Sequence, residues 1–323
     1  MSKKQIQVGG QAVIEGVMMR GPKYLATAIR RQDDSIEIKK QQFESVTSQN
    51  KFLGLPLIRG FVSLIEMMII GFKTLNFSAI RAELDWEAEE KKEKKNYKEK
   101  SEGRKKVEEF FSYLFAFGLA FLLFAYLPYQ IAEWLKLGKE DLYFNLFAGS
   151  IRILFFVLYV WIISRMKDVK RIFEYHGAEH KSVYAYEKNS NLIPEEIQKF
   201  STLHPRCGTS FMFLVLLIAI LVFSIVDTIV SHFLGQPQLL VRLGYHLLLF
   251  PLISGISYEV LKFSGKNIEH PLVRFFTAPG LALQRITTQP PDNKQIEVAM
   301  IAMKCALEMD ISEYKHAKII EDN

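Results

Sequence analysis

Cysteine is scarce in this chain, with Cys207 and Cys305 alone among 323 residues. Two thiols cannot build the disulfide framework of a small secreted domain. The first residues, MSKKQIQVGG, also lack the apolar run of a cleaved signal segment. The sequence therefore predicts a chain without a cleaved signal, whose soluble parts lie in a reducing compartment.

Charge is missing over long stretches, although charged residues make up 24% of the chain and hydrophobic residues 49%. A helix needs about 20 apolar residues to cross the hydrocarbon core of a bilayer. Four stretches meet this requirement: Phe110–Leu135, Leu142–Ser164, Phe211–Leu234 and Leu239–Phe263. They exclude a purely soluble globule and predict a mainly α membrane protein with a four-helix transmembrane bundle.

Lysine and arginine collect at one end of these stretches. They are frequent in Lys91–Lys106 before the first stretch and in Arg165–Arg171 after the second. Lys262 and Lys266 lie at the end of the fourth. Basic residues gather on the cytoplasmic side, so we expect both termini and the link Arg165–Ser210 in the cytosol of a bacterial cell. These flanks account for the net charge of +6, and no nucleic-acid partner is expected.

The apolar segment Pro56–Ile80 differs because Arg59, Glu66 and Lys73 recur along one helix face. This stripe predicts an interfacial or re-entrant helix rather than a fifth span. The charged stretch Glu83–Lys106 predicts a solvated helix or linker. The predicted segments are 1–54 (cytosolic, β-rich), 55–82 (interfacial helix), 83–109 (charged linker), 110–164 (transmembrane hairpin), 165–210 (cytosolic link), 211–263 (transmembrane hairpin) and 264–323 (cytosolic, with a helix).

Both chain ends carry signals of soluble structure. The segments YLATAIRR and SIEIKKQQF alternate like strands across the turn Gln32–Asp34. Asp292 and Gln295 have capping-box spacing, and they precede a predicted helix over about Asn293–Met309. We therefore expect a small α+β cytosolic domain built from both ends of the chain.

The link between the second and third stretches contains His176, Glu179 and His180 in an H-x-x-E-H pattern. On a helix, the two imidazoles at i and i+4 reach one metal ion, and the adjacent carboxylate serves as a proton acceptor. Inverzincin peptidases use this pattern. The sequence predicts a divalent-metal site with zinc as the preferred ion and Glu179 as the catalytic base.

Two imidazoles do not complete a metal site. The candidates for a third ligand are His204, Cys207 and Glu259, which the predicted topology brings to the same membrane face. The other readings are an inert thiol at Cys207 and a carboxylate at Glu259 that pairs with Lys262. Arg152 is expected in the bundle interior, where it lines a path or, as we favour, holds helices together.

Four blocks resemble the YqhQ family of bacterial membrane proteins, which have no known function and are described as predicted metal-dependent enzymes. These are GGQAVIEGVMMRGP at 9–22, EYHGAEHKSVYAYE at 174–187, HPRCGTS at 204–210 and PGLALQRITTQPPD at 279–292. The resemblance covers nearly the whole chain. It implies a multi-span membrane protein whose suspected metal site contains His176, His180 and Glu179.

Three functions follow as hypotheses. The first is a metal-dependent hydrolase with Glu179 as base, acting on a lipid-linked or membrane-protein substrate. The second is a non-enzymatic membrane scaffold or assembly factor with a structural metal or none. The third is a channel or transporter lined by Arg152 and Asp227, which the lack of an evident internal repeat disfavours unless the chain forms a homo-oligomer.

Overall fold

The computed structural model describes residues 8–93, 102–135, 142–235, 237–267 and 270–320. Its strands are β1 Gly9–Val13, β2 Gly16–Arg20, β3 Tyr24–Arg30, β4 Ile36–Gln42 and β5 Ala317–Ile320. Its helices are α1 Val46–Gln49, α2 Ile58–Glu93, α3 Glu102–Phe121, α4 Leu127–Trp134, α5 Leu142–Ile163, α6 Lys167–Glu187, α7 Pro194–Ile197, α8 Gly208–Leu234, α9 Leu239–Lys266, α10 Pro271–Thr287 and α11 Asn293–Ala306. A π-helical turn, Leu122–Tyr126, joins α3 to α4.

The two chain ends form a single sheet in the order β1-β2-β3-β4-β5. The first four strands are an antiparallel meander, and β5 from the C-terminal end pairs in parallel with β4. The predicted hairpin is β3–β4, paired from Tyr24↔Gln42 to Arg30↔Ile36. The small α+β unit built from both ends is therefore confirmed.

Helices α6 and α11 pack on the sheet and create the main hydrophobic core. This core includes Met19 of β2, Tyr175 of α6 and Met300 of α11, all of them almost fully buried. The predicted capping box at Asp292 and Gln295 is present. The helix ends at Ala306 rather than near Met309, because Glu308 takes a left-handed backbone conformation with φ of 58°.

Helix α2 is one continuous helix of 36 residues that extends through Glu93, into the charged stretch. The remainder of that stretch at 94–101 lies outside the described residues. One face of α2 packs on the sheet, where Ile70 meets Met18, and an ion pair joins Arg31 to Asp85. The opposite face exposes apolar side chains, including Ile65, Met68, Ile69 and Phe72.

Four helical segments in the described residues are long and apolar enough to cross a membrane, as predicted. They are Phe110–Trp134, Leu142–Ile163, Gly208–Leu234 and Leu240–Gly265. Helix α10 follows the last of these segments and packs against α8 and α5 through Leu283, Phe213 and Val160. Helix α10 thereby connects the apolar helices to the sheet unit.

Arg152 of α5 contacts the π-helical turn that joins α3 to α4. In an α-helix the carbonyl of Phe124 would accept from the backbone N–H of residue 128, but Pro128 has no such group. The Nε atom of Arg152 donates to this carbonyl instead, at 3.1 Å. A costly charge inside an apolar helix thus donates to a backbone carbonyl whose donor position in an α-helix is Pro128.

Candidate metal centre

The HGAEH segment lies in α6, which approaches the chain before α11 very closely. A Cβ atom placed on Gly177 would lie 2.0 Å from the carbonyl oxygen of Gln289. The N–H of Gln289 donates to the carbonyl of Phe173, also in α6, at 2.9 Å. Only glycine fits between the two metal-ligand candidates, because any side chain there would push α6 away from this segment.

The imidazoles of His176 and His180 lie on the same face of α6, as their spacing predicts, with ring centroids 4.4 Å apart. The Nδ1 atom of His176 lies 2.8 Å from the carbonyl oxygen of Thr287, and the Nδ1 atom of His180 contacts the carbonyl oxygen of Thr202. A carbonyl oxygen only accepts, so each Nδ1 carries the proton. In the neutral form of each ring, the Nε2 atom then carries the lone pair.

Cys207 is a third candidate ligand at the site of the two imidazoles. It is the N-cap of α8, and its Sγ atom lies 3.2 Å from Nε2 of His176. The ligand atoms of His176, His180 and Cys207 all lie within 4.8 Å of one another, and the three residues could hold a metal ion. Because α8 is one of the four membrane-length helices, this cluster lies where an apolar helix begins.

The Nε2 atom of His180 is buried and has no hydrogen-bond partner among the described residues. Burial lowers the pKa of this imidazole, which favours its neutral form. A buried acceptor without a donor is costly, since it has lost its contact with water and gained nothing in return. The cluster thus presents a neutral imidazole nitrogen that is available to a ligand.

His204 lies beside the cluster, with its ring centroid 5.7 Å from that of His180, but both of its nitrogens contact protein atoms. Its Nδ1 atom accepts from the N–H of Arg206 at 3.3 Å, and its Nε2 atom lies 3.4 Å from a carboxylate oxygen of Glu187. Burial lowers the pKa of His204 to about 4. In this arrangement His204 is a neutral neighbour of the cluster.

Glu259 lies elsewhere, in an ion pair with Arg59 of α2. The guanidinium donates two hydrogen bonds to the Glu259 carboxylate, at 2.7 and 2.6 Å. The structure therefore pairs Glu259 with Arg59, and it groups Cys207 rather than Glu259 with the two histidines.

Glu179 is buried beside the histidines and contacts the sheet. Its Oε1 atom accepts from the backbone N–H of Gly10 in β1, at 3.0 Å. Burial raises the pKa of the Glu179 carboxyl, and the hydrogen bond from the Gly10 N–H partly offsets this rise. A Cβ atom on Gly10 would lie 2.3 Å from the Met18 carbonyl oxygen, so glycine is needed where β1 meets α6.

Gln284 of α10 is a residue of the site's framework that the sequence pattern did not single out. It is fully buried, and its Oε1 atom accepts from the His204 N–H at 2.7 Å. Its Nε2 atom donates to the His204 carbonyl and to Oγ of Ser210, both at 2.8 Å. One side chain therefore fixes both ends of the loop that carries Cys207. In the sequence, only its position within the block PGLALQRITTQPPD marks Gln284.

Fold and site together define a helical protein with four membrane-length helices, a small mixed sheet and a buried His/His/Cys cluster. A family model described as "Protein of unknown function (DUF1385)" matches residues 55–309. The chain is also 33% identical to "Uncharacterized protein YqhQ" of Bacillus subtilis (strain 168) over 328 residues, which covers 98% of each chain. The chain therefore belongs to this family, as the four sequence blocks suggested. No solved structure matches it.

Proposed function

We propose that this protein is a metal-dependent hydrolase at the cytosolic face of the bacterial membrane, with one zinc ion held by His176, His180 and Cys207. The observation that carries the proposal is the convergence of two Nε2 lone pairs and one Sγ atom in a buried place. Two imidazoles and a thiolate are a donor set that zinc favours. Three protein ligands would leave a bound zinc ion able to take a water as well, as catalytic zinc sites do.

The chemistry is divided between the ion and Glu179. When bound, zinc polarises a substrate carbonyl and lowers the pKa of water. Glu179 is the nearest carboxylate in sequence to the ligand His180 and is buried with it. Its carboxylate accepts a proton from the attacking water and returns it to the leaving group. The Gly10 N–H orients this carboxylate and stabilises its charged form.

The position of the cluster supports a substrate that belongs to the membrane. Cys207 caps the first turn of α8, and α2 exposes an apolar face beside the sheet unit. A helix of this kind suits the interface between lipid and water. We infer that the substrate is lipid-linked or a membrane protein, reached from the cytosolic side to which the basic flanks assign both termini.

A second candidate function is a non-enzymatic membrane scaffold with a structural metal. The observation in its favour is that one Glu179 oxygen already accepts a hydrogen bond from β1. A carboxylate whose only role is to hydrogen-bond a strand to a helix would have no catalytic function. A channel is less favoured, because Asp227 contacts Arg242 and His246 while Arg152 donates to a backbone carbonyl.

Elemental analysis of tag-free protein tests the metal site. We expect one zinc per chain in the wild type, and its loss in His176→Ala, His180→Ala and Cys207→Ser. Glu259→Gln is the matched control and should keep zinc, because Glu259 pairs with Arg59. Folded wild-type protein that contains no metal would contradict the proposal.

Glu179→Gln separates the two functions. On the hydrolase proposal this variant retains zinc and fold, yet fails to complement a deletion strain, as His176→Ala also fails. On the scaffold reading it complements like the wild type, since the amide oxygen still accepts from Gly10 and the metal is unaffected.

A further inference from the structure

Lys181 follows His180 in α6 and is a buried residue that the proposed chemistry does not use. Only 7% of its surface is exposed. Its Nζ atom donates to the backbone carbonyls of Gln198 and Phe200, at 2.5 and 2.7 Å, in the segment 198–202 that follows α7. Within the described part of the chain, no carboxylate pairs with this ammonium group. A buried charge with only neutral partners is costly, so its presence calls for an explanation.

The segment that follows α7 depends on α6 for the hydrogen bonds of its carbonyls. Among the described residues, no backbone N–H donates to the carbonyls of Gln198, Phe200 or Thr202. Side chains of α6 donate to all three: Lys181 to the first two, and Nδ1 of His180 to that of Thr202. Two consecutive residues of α6 therefore hold the same segment.

The two imidazoles of the metal centre differ in how their carbonyl partners are held. Thr287 accepts from His176 and is the last residue of α10, so the helix sets the direction of its carbonyl. Thr202, which accepts from His180, lies in no helix or strand. Its carbonyl keeps its position only if other contacts hold the surrounding segment. Lys181 supplies two such contacts, to the residues two and four positions before Thr202.

The Thr202 carbonyl determines what His180 offers to a metal ion. An acceptor at Nδ1 fixes the tautomer and the orientation of the ring, so that Nε2 is the nitrogen left for the ion. Loss of such an outer partner typically weakens metal binding by about 10–100-fold. A change that lets this segment move should therefore weaken metal binding.

We propose that Lys181 is a positioning residue of the metal centre, which holds the segment 198–202 so that the Thr202 carbonyl orients His180. This inference rests on the metal site of the proposed function and extends that site to a residue that contacts neither zinc nor substrate. The Nζ atom donates to two carbonyls of the segment, so Lys181 acts on the ion only through the backbone and the imidazole. Its removal leaves all three ligands in the chain and weakens the site that they form.

Lys181→Met tests this role, because methionine keeps an unbranched side chain of similar length and loses both hydrogen bonds. Lys199→Met is the matched control, since Lys199 lies in the same segment but is exposed and pairs with Glu196. Full-length chains purified in detergent are titrated with zinc against a chelator of known affinity. The metal-free chains are unfolded by heat, and the cobalt(II)-loaded chains give absorption bands that report the ligand geometry.

We expect about tenfold weaker zinc binding and altered cobalt bands in Lys181→Met, and wild-type values of both in Lys199→Met. Wild-type zinc affinity and cobalt bands in Lys181→Met would overturn the inference, and a lowered unfolding temperature would then show a purely structural role. If Lys181→Met does not fold, Lys181→Gln, which keeps an amide donor on a shorter side chain, is measured in its place against the same two outcomes. Wild-type protein that binds no zinc instead overturns the proposed metal site.

Discussion

The Nε2 atom of His176 lies 3.2 Å from the Sγ atom of Cys207, although the two residues belong to different helices. His176 lies in α6 of the sheet unit, and Cys207 caps α8, a helix of membrane length. The carbonyl of Thr287, at the end of α10, holds the other nitrogen of His176. Three helices therefore meet in this cluster, which joins the sheet unit to the apolar helices.

The two cysteines should react very differently with thiol reagents. Burial raises the pKa of Cys305 to about 11, so at pH 8 almost none of it is thiolate and we expect no labelling in the folded protein. Cys207 should be protected while zinc is bound and become labelled after chelation. Mass spectrometry of iodoacetamide adducts with and without chelator measures both. Equal labelling of Cys207 in the two conditions would count against zinc ligation.

Gly177→Ala should disturb the centre without changing any ligand. The added methyl group would lie 2.0 Å from the Gln289 oxygen, so α6 must shift, at a cost of about 1–3 kcal/mol. We expect a lower unfolding temperature in detergent and weaker zinc retention. Gly118→Ala is the control, since a Cβ atom there meets no atom within 4 Å. A Gly177→Ala variant as stable as Gly118→Ala would contradict the close packing of α6.

The periodic and local features of this molecule could be predicted from its sequence. The four apolar stretches, the β3–β4 hairpin and the capping box at Asp292 each depend on residues close together in the chain, so hydropathy, alternation and spacing reveal them. The same holds for the shared helix face of His176 and His180.

The composition of the cluster could not be predicted in this way. His204, Cys207 and Glu259 were all candidates, because their chain order does not show which of them faces α6. The structure separates them through distant partners: Gln284 fixes the backbone of His204, and Arg59 pairs with Glu259. Which candidate faces α6 depends on the tertiary packing of α2, α9 and α10, and no local sequence pattern indicates that packing.

Arg152 and Pro128 should be energetically coupled. Arg152→Met leaves the Phe124 carbonyl without a donor inside an apolar helix bundle, which should cost about 1–3 kcal/mol. In a Pro128→Ala background the alanine N–H can take that carbonyl, so the same substitution should cost clearly less. A double-mutant cycle from unfolding in detergent measures this coupling. Additive effects would show that Arg152 acts through some other partner.

The last prediction concerns the topology of the chain in the membrane. Met19, Tyr175 and Met300 share one hydrophobic core, so the N-terminal strands, α6 and α11 must lie on the same side of a bilayer. An even number of crossings must then separate β4 from α6. The segments Phe110–Trp134 and Leu142–Ile163 supply two, which leaves none for α2.

Single cysteines outside the apolar segments can report this arrangement. With the basic flanks in the cytosol, Asp33→Cys, Lys188→Cys and Lys315→Cys should resist an impermeant maleimide in intact cells and react after lysis. Gly138→Cys and Gln236→Cys, in the links between paired spans, should react in intact cells. The two native cysteines are both buried, so labelling of the wild-type chain measures the background of the maleimide reaction. Labelling of Asp33→Cys but not Lys188→Cys in intact cells would mean that α2 crosses the bilayer, and it would also contradict the shared core, because one core cannot lie on both sides of a membrane.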